Sequence, residues 1–301
     1  MNVDTVRETA GTSADTLRVV IADRFRAQPG AAAVARNPAA ILEPAERVPG
    51  GRGPHRLLPA RDWGTKVRVR PGRRGGLLGP LLGDRYASPE PCLREHALVV
   101  ALAAEALPVP TPVFAAAWRS GWGWRCAVAT VEREGAVDLA GWLDGGPSAQ
   151  ERRAAARAVG RTLKRLHDAG VTHGDLQLRN LLLEPDSAAG APDCLAIDFD
   201  RARRGPSLRP AARMREWIRL ERSFHRTGRD AFLTPRIRAA ALAAYCGSDR
   251  GLRRAMLDRL PRERARLRRH RLAWRLRDLF SRPRRSPAPA RGRNADPARR
   301  R

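Results

Sequence analysis

Residues 173–200, HGDLQLRNLLLEPDSAAGAPDCLAIDFD, constrain this chain more than any other stretch. His173-Gly174-Asp175 comes first, and Asn180 stands five residues after the aspartate. Leu181-Leu182-Leu183 is an apolar run short enough for a strand. A Pro/Gly/Asp/Ala-rich turn leads to a second run, Cys194 to Ile197, which ends in Asp198-Phe199-Asp200. The stretch reads as one hairpin with an acidic cluster before it and another after it. That set of side chains is what phosphoryl transfer needs. One carboxylate accepts or orients the proton of an attacking hydroxyl, while a carboxamide and a second carboxylate hold magnesium against phosphates. Asp and Asn supply the hard oxygen ligands that Mg2+ prefers. The competing reading is an Asp-rich turn followed by a chance D-F-D on a solvated loop. The register of Asn180, two strand-like runs and Asp198 together favours the chemistry.

H-x-D-x-x-x-x-N followed by a strand ending in D-F is the spacing of kinase catalytic and metal loops. The rest of the chain bears on what such a site would act upon. Its 301 residues suffice for one two-lobed domain or two small ones, and 43% of them are apolar, enough for a core. Basic residues number 58 against 31 acidic, a net +27, and only Lys66 and Lys164 are lysines. A genome rich in G and C would also favour arginine in this way. The excess is uneven: from Arg250 to Arg301, 20 arginines stand against four acidic residues, a net +16. A tail of that kind suits a polyanion, either nucleic acid or an anionic membrane surface. Cys92, Cys126, Cys194 and Cys246 are scattered with no C-x-x-C, which fits a reducing compartment and argues against a disulfide scaffold or zinc site. Asp4, Glu8 and Asp15 occupy an N-terminal stretch with no apolar core, so no signal peptide is expected. The longest apolar stretch, Ala97 to Leu107, is about half a membrane span and is broken by Glu105. The expectation is a soluble or peripheral protein.

Four segments follow from pattern. Residues 1–46 are weakly patterned: Leu17 to Ile21 could be a strand or a helix start, and Pro29 to Ala45 reads as a loose connector. Residues 47–134 begin with the glycine-dense Pro49 to Pro54. There Gly51, Arg52 and Gly53 are either an ordinary hairpin turn or a turn whose N–H groups approach phosphates. Thr65 to Arg70 alternates, with Lys66, Arg68 and Arg70 on one face and Val67 and Val69 on the other. A Gly/Arg loop then precedes a helix, Pro91 to Ala106, with Leu93, Ala97, Val100 and Ala104 as its apolar stripe. Glu95 lies one position off that stripe, either as a solvated residue or as the partner of a basic strand residue. Strands are expected at Val113 to Trp118 and Arg125 to Val131, with Trp118, Trp122 and Trp124 as packing residues. The hinge falls at Glu132 to Asp138. In residues 135–249, Ser148 and Glu151 have capping-box spacing and open a helix burying Ala155, Val159, Leu163 and Leu166, with Gly170 just past its end. Two further helices are expected, Ala211 to Arg226 and Pro235 to Cys246, the second capped by Thr234. In the tail, 250–301, Leu272, Leu276, Leu279 and Phe280 share a helical face among arginines, beside Trp274. That face suits a membrane interface or packing on the parent domain, and the Pro/Arg/Ala composition beyond Ser281 reads as disorder.

With these residues quoted, the chain resembles the lipopolysaccharide core kinases, and most of all the 3-deoxy-D-manno-octulosonic acid (Kdo) kinases. The likeness covers about residues 50–247 and rests on GRG at 51–53, VRVRPGRRGGLLGPLLGDRY at 67–86, LREHALVVAL at 93–102, LPVPTPV at 107–113, HGDLQLRN at 173–180 and IDFDRAR at 197–203. The RRGGL…DRY and LPVP pieces are not general kinase features. The resemblance implies an α+β, protein-kinase-like bilobal fold, with a small mostly-β N-lobe carrying one helix and a mostly helical C-lobe. It implies ATP and Mg2+ as cofactors, Kdo-lipid A as acceptor, phosphorylation at O-4 of the Kdo sugar, and work on the cytoplasmic side of a Gram-negative inner membrane as a peripheral protein. Asp175 would be the catalytic base, Asn180 and Asp198 would hold magnesium, and Glu95 would pair with the basic strand residue. For that residue Arg70 aligns best, and Lys66 is the alternative on the same face. Gly51, Arg52 and Gly53 would lie over the nucleotide phosphates. The tail would meet an anionic membrane surface, and no specific nucleic acid is expected. Where this chain has HGDLQLRN the family more often has HADLNAHN. Gly174 reads as a tolerated spacer, whereas Gln177 and Arg179 flank the base and bear on the acceptor. The alternatives are a heptose kinase, a soluble small-molecule or antibiotic phosphotransferase, which also uses HGD, and a non-catalytic basic-tail binding protein.

Overall fold

The computed structural model describes residues 16–49, 54–72, 84–184 and 192–281, with 266–281 described by their helical backbone. A six-stranded antiparallel sheet dominates the first half. Its strands are β1 (Leu17–Ile21), β2 (Glu46–Val48), β3 (His55–Leu58), β4 (Val67–Pro71), β5 (Pro112–Ser120) and β6 (Gly123–Val131), in the order β1-β5-β6-β4-β3-β2. The alternation in β4 is realised: Val67 and Val69 are fully buried. Arg70 lies opposite Val128 and Arg68 opposite Thr130 on β6, so these four side chains share one face.

Pro29 to Leu42 is not a loose connector. It forms helices α1 (Pro29–Arg36) and α2 (Pro38–Leu42), each opened by proline in its first turn. Both end in apolar anchors, Val34 and Leu42, which pack into a core with Phe25, Trp63 and Phe114. Trp63 closes a short turn of helix, α3 (Ala60–Trp63), and stacks on Phe114 at 5.2 Å between ring centroids. An Ala/Pro-rich run carries little periodicity, but burial of a whole indole supplies the tertiary reason for it to order. Trp122 departs from its expected packing role: at the tip of the β5–β6 hairpin it is 59% exposed, while Trp124 beside it is buried.

Helix α4 (Glu90–Ala104) crosses from this sheet to the second half. Its buried face is Cys92, Glu95, His96, Val99 and Leu102, not the expected stripe, and Val100 is 36% exposed. The true face contains a glutamate and a histidine, so hydrophobicity alone points to the wrong side. Cys92 packs with Trp124 and Cys126 of the sheet, whereas Val99 and Leu102 join the core of the second half. This one helix therefore belongs to both hydrophobic clusters.

The second half is mostly helical. After β7 (Val137–Asp138) come α5 (Leu139–Asp144) and α6 (Ala149–Asp168). Ser148 Oγ accepts from Glu151 N and Glu151 Oε2 accepts from Ser148 N at 2.6 Å, the full capping box. Ala155, Val159, Leu163 and Leu166 are buried on its core face. Strands β8 (Val171–Thr172), β9 (Leu181–Glu184), β10 (Asp193–Ala196) and β11 (Arg203–Arg204) follow, with β9 and β10 paired antiparallel as the expected hairpin. Helices α7 (Pro210–Arg226), α8 (Pro235–Cys246) and α9 (Arg250–Ser281) complete the lobe. Thr234 caps α8, its hydroxyl accepting from Ile237 N. The start of α9 is seated by Met256, which is fully buried. No helix among the described residues is long and apolar enough to cross a membrane.

Candidate active site

The loop from His173 to Asn180 sits between β8 and β9, where backbone hydrogen bonds end and side chains must hold the chain. Glu216 on α7 does most of this. Its Oε2 accepts from His173 N at 2.8 Å and from Gly174 N at 3.2 Å. His173 Nε2 donates to Ile197 O at 2.8 Å, and its ring packs on Phe199 at 5.1 Å. That partner assigns the tautomer, leaving Nδ1 to accept from Asp175 N at 3.4 Å. Ser223 Oγ, also on α7, accepts from Leu178 N. Asn180 Nδ2 donates to Asp175 O at 2.9 Å, and Ile197 N donates to Asn180 O at 3.0 Å. The Asp175 and Asp198 segments are thus tied through Asn180. Gly174 is more than a spacer. Its φ is +78°, and a Cβ there would lie 2.3 Å from Arg201 O.

Arg70 and Glu95 meet in the second cluster. Arg70 Nη2 donates to both carboxylate oxygens, at 2.6 Å to Oε1. Glu95 Oε1 also accepts from Phe199 N at 3.1 Å, so one buried carboxylate links β4, α4 and the segment after β10. Arg70 Nη2 lies 3.5 Å from Asp198 Oδ1. Burial works against the charge on Arg70, but Glu95 and Asp198 outweigh it and hold its pKa above the usual arginine value. Burial pushes the Glu95 carboxyl up, against the pull of Arg70. Lys66 stands apart: it pairs with Glu134 at 2.7 Å and is more than half exposed. Arg70, not Lys66, is therefore the basic strand residue that reaches Glu95. Gly51, Arg52, Gly53 and the RRGGL loop lie outside the described residues.

Asp198 has φ +67°, a left-handed backbone that a non-glycine residue rarely adopts. Its Oδ1 is buried and accepts no hydrogen bond among the described residues. A buried carboxylate oxygen in that state fits a cation. No group of three or more His, Cys, Asp or Glu side chains among the described residues could hold a metal alone. Magnesium suits such a sparse site, because it takes one or two protein oxygens and completes its shell with phosphates and water.

Two cavities adjoin here. One, of about 330 Å3, is walled by Gln177, Asn180, Ser223 and Arg226. The other, of about 300 Å3, is walled by Val128, Thr130, Glu132 and Leu182. His55, Arg70, Arg179, Ile197 and Asp198 line both. His55 lies on the sheet face toward this junction, and its Nδ1 is buried with no hydrogen-bond partner among the described residues. Burial and the charges of Arg68 and Arg70 push its pKa down to about 4. A further, largely apolar cavity of about 150 Å3 among α5–α9, with Trp142 and Trp217 in its wall, holds none of the site residues.

Sequence reasoning missed Glu216, Ser223 and His55. Glu216 and Ser223 lie 43 and 45 residues from the backbone groups they bind, so no motif spacing joins them. A glutamate inside the arginine-rich ARMREWIRLER run was the available signal.

The model of the lipopolysaccharide kinase (Kdo/WaaP) family matches residues 49–245. The chain is 34% identical over 171 residues to a 3-deoxy-D-manno-octulosonic acid kinase of Xylella fastidiosa (strain M12), covering 56% of this chain and 63% of that protein. It is 32% identical over 191 residues to a protein of the same name from Haemophilus influenzae (strain PittEE), covering 60% and 76%. The chain thus spans just under two thirds of the Xylella relative's length. A solved structure of WaaP in complex with acyl carrier protein superposes with a TM-score of 0.50 and 22% identity, over 87% of this chain and 97% of that one. At that identity the likeness speaks to the fold, which is α+β and protein-kinase-like. With its family model spanning residues 49–245, the chain belongs to the lipopolysaccharide kinase (Kdo/WaaP) family.

Proposed function

We propose that the chain is an ATP-dependent sugar kinase that phosphorylates Kdo, at O-4, in Kdo-lipid A during lipopolysaccharide inner-core assembly. The observation that carries this reading is the wall shared by the two cavities. There a half-buried arginine held by Glu95 faces an aspartate oxygen that accepts no hydrogen bond among the described residues. Nucleotide in the cavity lined by Thr130 and Glu132 would present its terminal phosphate to Arg70 and Asp198. Acceptor in the cavity lined by Gln177 and Asn180 would approach from the side of Asp175.

In this mechanism Asp175 takes the proton of the attacking hydroxyl. The new oxygen–phosphorus bond forms as the bond to the bridging oxygen breaks, and ADP leaves. Asn180 and Asp198 are the residues that would hold Mg2+, whose charge offsets that of the phosphates. Arg70 orients the phosphates, and Glu95 fixes Arg70. The acceptor carries lipid A phosphates and Kdo carboxylates, for which arginine is a suitable reader. We place the enzyme as a peripheral protein on the cytoplasmic face of the inner membrane, drawn to anionic lipid by its arginine tail.

The test is incubation of the full chain with Mg2+, ATP and Kdo-lipid A, followed by mass spectrometry of the product. One added phosphate on Kdo is expected, and Asp175→Ala should lower kcat by about 100- to 10,000-fold while nucleotide binding persists. No turnover on Kdo-lipid A alongside turnover on a heptosylated core would move the acceptor to heptose.

A further inference from the structure

His55 is a residue that neither the motifs nor the family comparison assigns. It follows Pro54 at the start of β3 and is continuous in chain with the glycine-dense segment. The β3–β4 register, with Leu57 opposite Arg68 and Arg56 opposite Val69, puts His55 on the same sheet face as Arg70. His55 lines both cavities, as Arg70 and Asp198 do. A phosphoryl group passing from one cavity to the other would pass the imidazole.

Buried polar atoms in folded proteins nearly always have a partner, and each exception calls for an explanation. Among the described residues His55 Nδ1 is such an exception. Neither neighbouring arginine satisfies it: Arg68 donates to Glu132 and Pro49 O, and Arg70 to Glu95. An Nδ1–H facing a negatively charged oxygen would satisfy it. The two arginines and burial keep the ring neutral near pH 7, so one ring nitrogen is a donor and the other is not.

We infer that His55 is a further catalytic residue of the site, its Nδ1–H donating a hydrogen bond to an oxygen of the phosphoryl group being transferred. The inference rests on the kinase reading of the cleft but not on the identity of the acceptor. Its contribution belongs to charge that develops at the phosphate, the type of donor whose removal typically lowers kcat by about 100- to 1,000-fold.

The experiment compares full-length wild type, His55→Ala and His55→Gln, with thermal unfolding to confirm that each is folded. Binding of Mg2+ with ADP, and of Mg2+ with a non-hydrolysable ATP analogue, is measured by calorimetry beside kcat and KM on Kdo-lipid A. His55→Ala should bind the triphosphate analogue about tenfold more weakly and bind ADP unchanged. Its kcat should fall at least tenfold with the acceptor KM unchanged, and His55→Gln, which keeps an N–H donor, should recover part of both losses. Equal losses for ADP and the analogue would overturn the inference, because His55 would then be only a wall of the nucleotide cavity. An effect confined to acceptor KM, or no effect at all, would overturn it as well. If wild type binds the analogue yet leaves Kdo-lipid A untouched, the acceptor assignment fails while the ADP-against-analogue comparison still decides on His55. If wild type binds no nucleotide, both fail.

Discussion

Glu95 shows how much one side chain carries in this site. It is buried, it receives both hydrogen bonds from Arg70 Nη2, and it accepts from Phe199 N beside Asp198. Replacing it with glutamine keeps its shape but leaves the Arg70 guanidinium without its main counter-charge. Breaking a fully buried pair typically costs about 3 kcal/mol or more; here Arg70 is a quarter exposed and keeps Asp198 nearby, which lowers that cost. Glu95→Gln should therefore lower the free energy of unfolding in urea by about 1–2 kcal/mol without nucleotide, and raise the KM for ATP. Arg70→Lys should not rescue function, since an ammonium on a longer flexible stem does not reproduce the guanidinium geometry. A Glu95→Gln protein as stable and active as wild type would remove the ion pair from the mechanism. Residue scale is also where the sequence was most readable. Asp175, Asn180 and Asp198 lie within 24 residues of one another, so their spacing alone points to the proposed chemistry. Arg70 and Glu95 are 25 residues apart on a strand and a helix; the resemblance favoured Arg70 over Lys66, and the fold pairs Arg70 with Glu95 and Lys66 with Glu134. Gly174 looked like a free spacer because its positive φ and the nearby Arg201 carbonyl leave no trace in sequence.

Helices with local signals were legible and helices set by tertiary burial were not. Ser148 and Glu151 announce α6, and Thr234-Pro235 announces α8, because a cap is a short-range arrangement. The face of α4 was misjudged since its buried side includes Glu95 and His96. The same polar burial makes α4 sensitive to acid. His96 is fully buried, neither ring nitrogen has a hydrogen-bond partner among the described residues, and burial lowers its pKa from 6.5 to about 4. Below pH 6.5 the unfolded chain takes up a proton that the folded chain refuses until about pH 4. Stability is therefore fully present above pH 6.5 and declines as pH falls through that window. From pH 7 to pH 5 this group alone should remove about 2 kcal/mol, at about 1.4 kcal/mol per pH unit. His167, lowered in the same direction to about 3, adds to the slope. His96→Phe should unfold with a visibly flatter pH dependence between 7 and 5, read from urea midpoints at each pH. An unchanged slope would mean that His96 is hydrated or charged in the folded protein.

At the scale of the whole molecule, the two lobes share α4 and the crossing at 132–138, while net positive charge is densest toward the C-terminal end. The first part of α9 belongs to the C-lobe core, because Met256 is fully buried and Leu252 and Leu260 pack against the same cluster. Residues 266–301 hold 14 arginines against Asp278 and Asp296, a net +12. This separates two roles that a deletion at Arg250 would confuse. Cutting at 250 takes Met256 out of the core and should destabilise the lobe by about 2–5 kcal/mol, as removal of a buried methionine does. Cutting after Ala265 leaves that packing in place and removes only the distal charge. Basic residues near an anionic leaflet contribute about 1 kcal/mol each, so three of the 14 arginines engaged together give over a hundredfold in affinity. The chain ending at Ala265 should therefore melt within a few degrees of the full chain and show wild-type kcat on a detergent-dispersed acceptor. It should bind vesicles containing phosphatidylglycerol at least tenfold more weakly, and the full chain's advantage should shrink as salt rises and screens the surface. Equal vesicle binding by both chains at low salt would assign membrane recruitment, if it occurs, to the folded lobes and leave the arginine tail without that role.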